Sequence, residues 1–356
     1  MEQSEEKELT TYSFTPFTSR IANCGIKIRR GRLHYEGEPA KKDPAEQGLL
    51  LLPSTCDEGW GSVKSLNVKT EEAWPMPNRL DLRYFTMNDG RCFDIDTPLD
   101  AERAAKLWDE QAKEFPKFPF KDYVVGTGPF GNVAIWLHGS HRSELLHSFI
   151  AKEATELDEV EKEHFAWMRE NGEYEIISRE DMEDNIRQYD YRYVALEERW
   201  DEESQQWVEY SDEDPYYDDL DLDSIEDKRS DGTFFYIKDP EILQKYHKAG
   251  TPQRITVKWH AGREEFMAHF WLRESFYIIL FKEFFSQLPN ERADILLRLD
   301  TRAQKYEIAM RREGIPVDMP IPPSTYQLIV FNDGTEHYLS PNFSLEDGQW
   351  NLMWHK

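Results

Sequence analysis

The sequence predicts an α+β protein with a largely antiparallel sheet core, flanking helices and an acidic insertion, and three observations carry that expectation. Short apolar or alternating runs broken by Gly, Pro and Asn recur towards both ends of the chain; apolar residues at helical spacing fall in a few separate stretches; carboxylates crowd into one segment near the middle. With 356 residues, the chain exceeds the roughly 250–300 at which a single hydrophobic core stops growing, so two lobes or a large insertion are expected. The expected division is 1–178 as a β-rich lobe with helices, 179–231 as an acidic, aromatic-containing insertion, and 232–356 as a second α+β portion completing the core.

From Tyr12 to Pro98 the pattern is β-rich, with strand-like runs at Gly25 to Tyr35, Gly61 to Val68 and Arg79 to Phe85, the last closed by Asn88-Asp89-Gly90. Thr97-Pro98 reads as an N-cap and first-turn pair for a helix in which Leu99, Ala104, Leu107, Trp108 and Ala112 recur at helical spacing until Phe115-Pro116. Asp122 to Val125 and Val133 to Leu137 flank a glycine-rich turn, Gly126 to Gly131, and read as a tight hairpin. Ser143 to about Arg169 reads as helical, and a second helix is expected near Ser178, whose spacing to Asp181 resembles a capping box.

Beyond the insertion, Asp239-Pro240 is expected to open a short helix closed by Gly250, and Arg254 to His260 with Glu264 to Leu272 to form a hairpin. Helices are then expected over about Glu274 to Leu288 and Glu291 to Arg312, the second burying Ile295, Leu296, Leu299, Ala303, Tyr306 and Met310. Tyr326 to Phe331 and Glu336 to Leu339, joined through Asn332-Asp333-Gly334, carry the strongest hairpin signal in the chain, since Asp-Gly suits the positive φ of a type I′ turn. No internal repeat is evident at the short periods of solenoids.

Charge bounds the partners. Lys and Arg number 43 against 69 Asp and Glu, a formal charge of −26, which argues against nucleic acid and anionic membrane surfaces as ligands and favours a basic protein. The acidic start, Met1-Glu2-Gln3-Ser4-Glu5-Glu6, lacks the basic and apolar regions of an export signal, and no apolar run approaches the roughly 20 residues of a spanning helix; a cytoplasmic protein is expected. Cys24, Cys56 and Cys92, odd in number and widely spaced, read as reduced thiols.

Several motifs invite chemistry. Gly126, Gly128 and Gly131 have dinucleotide-loop spacing, but a strand follows them instead of a helix, and Asn132-Val133 stand where a phosphate loop needs Lys and Ser or Thr. Asp219, Asp221 and Asp223 imitate the first ligands of a calcium loop, with Ser224 in place of the turn glycine. His138, His141, Glu144 and His147 place four metal-ligand types at steps of three; on one straight helix His138 and His147 would face opposite sides, so convergence needs a bend near Gly139-Ser140, and no zinc-enzyme signature is present. No cofactor is expected.

Between Glu197 and Asp231 sixteen carboxylates face only Arg199, Lys228 and Arg229, yet the same stretch holds Trp200, Trp207, Tyr210, Tyr216 and Tyr217. A solvating linker lacks such aromatics, whereas a binding surface combines steering charge with buried aromatic anchors. The candidate partner-binding residues are therefore Trp200, Trp207, Tyr210, Asp212, Glu213, Asp214, Tyr216, Tyr217, Asp218 and Asp219.

The pattern Tyr123-Val124-Val125-Gly126 to Pro129, then Gly131-Asn132-Val133-Ala134-Ile135-Trp136-Leu137-His138-Gly139, resembles an uncharacterised bacterial family, as do Gly59-Trp60-Gly61, Pro75 to Leu80 and Pro316 to Pro323. The resemblance spans about Leu49 to Leu339 and implies no reaction, cofactor or catalytic residue. Some relatives look like immunity proteins encoded beside secreted antibacterial toxins. The expectation is an interaction protein of immunity type that neutralises a basic toxin or effector by direct binding; the alternatives are a metal-dependent hydrolase built on the His/Glu cluster and a structural subunit.

Overall fold

The computed structural model describes residues 9–20, 25–43, 46–53, 60, 72–87, 89–140, 142–171, 178–211, 220–238, 245–286, 292–300, 305–313, 317–332 and 335–338. The chain is sheet-dominated α+β and divides into two units, Met1–Ile186 with Asp231–Thr233, and Arg187–Ser230 with Phe234–Lys356. No described helix is long and apolar enough to cross a membrane.

In the first unit, strands β1 (Thr15–Arg20), β2 (Ile26–His34), β3 (Leu49–Leu50), β4 (Leu52–Pro53), β5 (Arg79–Thr86) and β6 (Arg91–Pro98) precede helix α1 (Ala101–Glu114). Then come β7 (Phe120–Thr127), β8 (Asn132–Gly139), β9 (Arg142–Ile150), β10 (Lys152–Glu153), α2 (Glu159–Asn171) and α3 (Arg179–Asn185). One sheet runs β3-β2-β5-β6-β10 and the other contains β4-β1-β7-β8-β9. Alternation sends Leu80, Leu82, Tyr84, Phe93 and Ile95 from the first, and Tyr123, Val125, Val133, Ile135 and Leu137 from the second, into one core. Helix α1 adds Ala104 and Trp108, the latter edge-on to Tyr12 and Phe14. Its N-cap is Asp100, whose carboxylate accepts from the Arg103 amide at 2.9 Å. Helix α2 is tied down by Glu161, 3% exposed, which accepts from Arg83 Nε at 2.5 Å and Nη2 at 2.7 Å; the guanidinium holds this carboxyl below its usual range.

A second cluster of this unit shows why the β7–β8 hairpin begins with glycine. Trp60 and Trp136 meet edge to face with centroids 5.5 Å apart, and a Cβ at Gly126 would lie 2.3 Å from Trp60 Nε1 and 2.4 Å from Trp136 Cζ3. The buried Trp136 indole donates to the Asp231 carbonyl at 3.0 Å, which explains how residues 231–233 come to belong to the first unit.

The second unit contains β11 (Tyr189–Ala195), β12 (Glu198–Asp201), β13 (Gln206–Glu209), β14 (Leu220–Arg229), β15 (Phe234–Ile237), β16 (His247–Ala249), β17 (Pro252–Ala261) and β18 (Glu264–Leu272). Helix α4 (Glu274–Ser286) follows, then β19 (Ala293–Leu299), β20 (Tyr306–Arg312), β21 (Asp318–Pro320), β22 (Tyr326–Asn332) and β23 (Thr335–Tyr338). One sheet contains β15-β14-β17-β18-β22-β23, another is β16-β11-β19-β20-β21, and β12-β13 pair only with each other. Ile255, Val257, Trp259, Phe266 and Phe270 meet Ile295, Leu297, Ile308 and Met310 in its core, joined by Tyr277 and Phe281 of α4.

The two units share a topology. In the first sheet of each, β3-β2-β5-β6-β10 corresponds to β15-β14-β17-β18-β22; in the second, β4-β1-β7-β8-β9 corresponds to β16-β11-β19-β20-β21. The parallel pairing of β1 with β7 recurs as that of β11 with β19. Arg79 and Pro252, Arg91 and Glu264, Ala101 and Glu274, and Phe120 and Ala293 open corresponding elements at one constant separation, 252 − 79 = 173 residues. The outermost strands differ: β4 is parallel to β1, whereas β16 is antiparallel to β11.

Five expectations are corrected. The stretch from Ser143 is strand β9, paired to β8, and helix begins only at Glu159. Residues 293–299 and 306–312 are an antiparallel strand pair and no helix: every residue of β19 is buried, and a fully buried strand has no period of two to betray it. The N-cap of α1 is Asp100, because Thr97 and Pro98 still pair with Leu80 and Arg79. The segment 179–231 is no separate insertion, since β11 and β14 lie inside the second unit's two sheets and the unit boundary falls after Ile186. Among the described strands of that segment, only β12 and β13 stand outside those sheets. His247–Ala249 is a strand where a helix end was expected, and residues 239–244 and 61–68 lie outside the described residues.

Candidate functional site

Strands β12 and β13 form a two-stranded ribbon in the register Glu198↔Glu209, Arg199↔Val208, Trp200↔Trp207, Asp201↔Gln206. The turn is closed locally: the Asp201 carboxylate accepts from the Ser204 amide at 3.0 Å, Gln205 takes a positive φ of 54°, and its side-chain amide donates to the Glu202 carbonyl at 2.8 Å. Hydrogen bonds from Ser204 hold the Asp201 carboxyl below its usual range. Because side chains alternate, Glu198, Trp200, Trp207 and Glu209 share one face. The two indoles, directly opposite, meet edge to face with centroids 5.7 Å apart, and Lys305 Nζ lies 5.3 Å from the Trp200 ring centroid. Both are half-buried, while Glu202 and Glu203 at the tip are exposed. The Tyr210 amide donates to the Glu197 carbonyl at 3.3 Å and closes the ribbon at its root.

An isolated two-stranded ribbon is marginal in water, so its attachment matters. Arg298 of β19, 7% exposed, donates from Nε to Glu198 at 2.5 Å, from Nη1 to Glu307 at 2.5 Å, and from Nη2 to Asp318. Arg311 bonds the other Glu198 oxygen at 3.0 Å and Asp318 at 2.6 and 3.1 Å. Two guanidiniums thus share three carboxylates, and Glu198 is the member that belongs to the ribbon. Arg298 and Arg311 together hold the Asp318 carboxyl below its usual range against the opposing effect of burial. Sequence reasoning missed this network. Its signal was a single arginine inside the otherwise apolar run Ile295 to Leu299, a charge that folding buries only with partners.

Of the predicted partner-binding residues, Trp200, Trp207 and Tyr210 are brought together in the ribbon. Asp212, Glu213, Asp214, Tyr216, Tyr217, Asp218 and Asp219 lie outside the described residues. Asp221 and Asp223 sit on strand β14, where Asp223 pairs with His260 at 2.9 Å, so they occupy extended chain and not a calcium loop.

The His/Glu cluster does not converge. His138 follows Trp136 on one face of β8, while Glu144 and His147 stand opposite Leu137 and Ile135 on the other face; His141 lies outside the described residues. Each described member has other work: His138 Nδ1 faces Asp122 at 3.3 Å, Glu144 pairs with Arg142, and His147 Nε2 accepts from the Asp100 amide at 3.2 Å. Burial and the nearby Arg103 push the His147 imidazole below its usual value. No group of three or more metal-ligand side chains assembles among the described residues. The glycine-rich turn is likewise occupied internally: Asn132 Nδ2 donates to the Pro129 carbonyl at 2.8 Å, and the Tyr84 hydroxyl to the Gly128 carbonyl at 3.2 Å. Cys92 is buried, and burial pushes its thiol up to about 11.

Comparison with protein-family models, curated proteins and solved structures found no match to this chain.

Proposed function

We propose that this chain is a non-catalytic interaction protein of immunity type, acting in the bacterial cytoplasm, which neutralises a basic toxin or effector by binding it directly through the ribbon. The observation that carries this reading is the ribbon itself. It joins a half-buried tryptophan pair to a carboxylate-rich tip and is braced at its foot by a charge network, so the aromatics are held in place before binding and lose little freedom on contact. Six carboxylates against Arg199 between residues 197 and 210 supply the field that draws in a basic protein, and aromatic anchors supply the slow dissociation.

The test is recovery of a basic protein with the untagged chain from its source cells, followed by association and dissociation rates of the purified pair. Expected are slower association when Asp201, Glu202 and Glu203 become Asn or Gln, and faster dissociation for Trp207→Ala. Unchanged rates in both variants would end this reading.

A further inference from the structure

The correspondence between the units leaves the ribbon without a counterpart. In the first unit β1 ends at Arg20 and β2 begins at Ile26; in the second the corresponding connection runs from Ala195 to Leu220 and contains the whole of β12 and β13. Each unit otherwise follows the same path, from paired hairpin through helix to a hairpin in the other sheet, and from the first strand of the one hairpin to the first strand of the other the corresponding elements begin 252 − 79 = 173 residues apart. Sequence identity is not needed to keep such spacing, because strand and helix lengths are fixed by the layers they must span. We infer that the two units are copies of one domain, and that the ribbon is a recognition element grafted into the second copy, so that binding of an arginine- or lysine-bearing protein segment belongs to that unit alone.

Three observations support a graft. The ribbon strands pair only with each other, so the second unit's sheets do not take their strand pairing from it. Its attachment is by side chains, and Arg298 retains Glu307 and Asp318 if Glu198 is removed. Finally, the ribbon already displays the chemistry of the proposed contact within the chain, the Lys305 ammonium lying 5.3 Å from the Trp200 ring centroid, with Glu198 and Glu209 on the same face of the ribbon. A partner's cation approaching Trp207 beside Glu209, on the face that the two indoles share, would repeat that arrangement.

The inference rests on the ribbon reading above, and the experiment separates the two. In the intact chain, hydrogen exchange of residues 198–210 is measured with and without a short arginine–glycine peptide, with its glutamate-for-arginine counterpart as control. It is repeated in a full-length variant in which residues 197–219 are replaced by the first unit's connection, Ile21 to Gly25, leaving the buried Leu196 and its bond to the Leu297 carbonyl in place. Expected are exchange in the ribbon at least about a hundred-fold faster than in β11, β14 and β19, added protection there with the arginine peptide only, and an exchange pattern in those three strands that survives the replacement while the peptide's effect disappears. If ribbon and sheet amides exchange at one common rate, or the sheets lose protection when the ribbon is replaced, the graft is overturned. If the replaced chain keeps its sheets and the arginine peptide protects it as it does the intact chain, the ribbon reading is overturned while the duplication stands.

Discussion

Replacing Arg298 by methionine removes the centre of the network at the foot of the ribbon and leaves Glu198, Glu307 and Asp318 around an apolar side chain. Arg311 still reaches Glu198 and Asp318, but Glu307 is left without the partner it had at 2.5 Å. Arg298 is 7% exposed and its partners Glu198, Asp318 and Glu307 are 11%, 22% and 28% exposed, so water replaces only part of what is lost. Removing one partner of a buried ion pair costs about 3–5 kcal/mol. For a unit of this size each kcal/mol shifts the midpoint by roughly 2–4 °C, so the second unit's thermal transition should fall by about 10 °C. The matched control is Arg79→Met. Arg79 makes an equally good bidentate pair with Asp96, at 2.6 and 2.7 Å, but the two side chains are 51% and 63% exposed, and exposed pairs contribute about 0–1 kcal/mol. Calorimetry of both variants decides the matter: if Arg298→Met shifts its transition no more than Arg79→Met, burial is not what gives the network its weight. Glu307→Gln added to Arg298→Met should recover part of the loss, because it removes the carboxylate left unpaired.

Other perturbations test other parts of the molecule. Gly126→Ala would push a methyl to within 2.3–2.7 Å of the buried Trp60 and Trp136 rings, and should destabilise the first unit by about 1–3 kcal/mol in chemical denaturation, leaving the second unit's transition in place. His269 accepts or donates to Thr256 at 2.7 Å, and burial with nearby Arg254 and Lys258 lowers its imidazole from 6.5 to about 4. A histidine depressed in the folded state contributes stability above its unfolded value and loses it as pH falls, so about 3 kcal/mol should disappear between pH 6.5 and 4, and His269→Gln should flatten urea-derived stability over that window. Neutralising Asp212, Glu213 and Asp214 should slow association of the basic partner and weaken its salt dependence, with little change in dissociation, as read by stopped-flow at several ionic strengths.

What was legible in the sequence was whatever has a surface or a strong turn. The α1 helix, the β5–β6 and β17–β18 hairpins and strand β22 each expose one face, so apolar residues alternate or recur, whereas the β7–β8 hairpin is buried on both faces and was marked by its glycine-rich turn. Strand β19 is buried throughout, and its run of Ile295, Leu296, Leu297 and Leu299 fits a helix as readily as a central strand. Strand β9 was hidden for a different reason: with Leu146 buried but Leu145, His147 and Phe149 only half covered, and a register shift opposite Ile135 and Trp136, its alternation is interrupted midway. The duplication escaped notice because corresponding elements open on unrelated residues, Arg79 against Pro252 and Phe120 against Ala293, and what the copies share is spacing.

The candidate site divides along the same line. Acidity and aromatics marked the region of Trp200, Trp207 and Tyr210 because both are compositional, and composition survives without coordinates. The brace did not, because Glu198, Arg298, Glu307, Arg311 and Asp318 come from β12, β19, β20 and β21 and meet only after the sheet has formed. That division has a functional consequence. A ribbon anchored by charges at its foot, and not by an apolar core of its own, keeps its tryptophans half-buried and its tip carboxylates in water, so approach and retention are carried by different residues. Long-range attraction from the tip is weakened by salt, whereas the Trp200–Trp207 pair is insensitive to it. A partner held through both should therefore associate at a salt-dependent rate and leave at a rate that salt hardly changes.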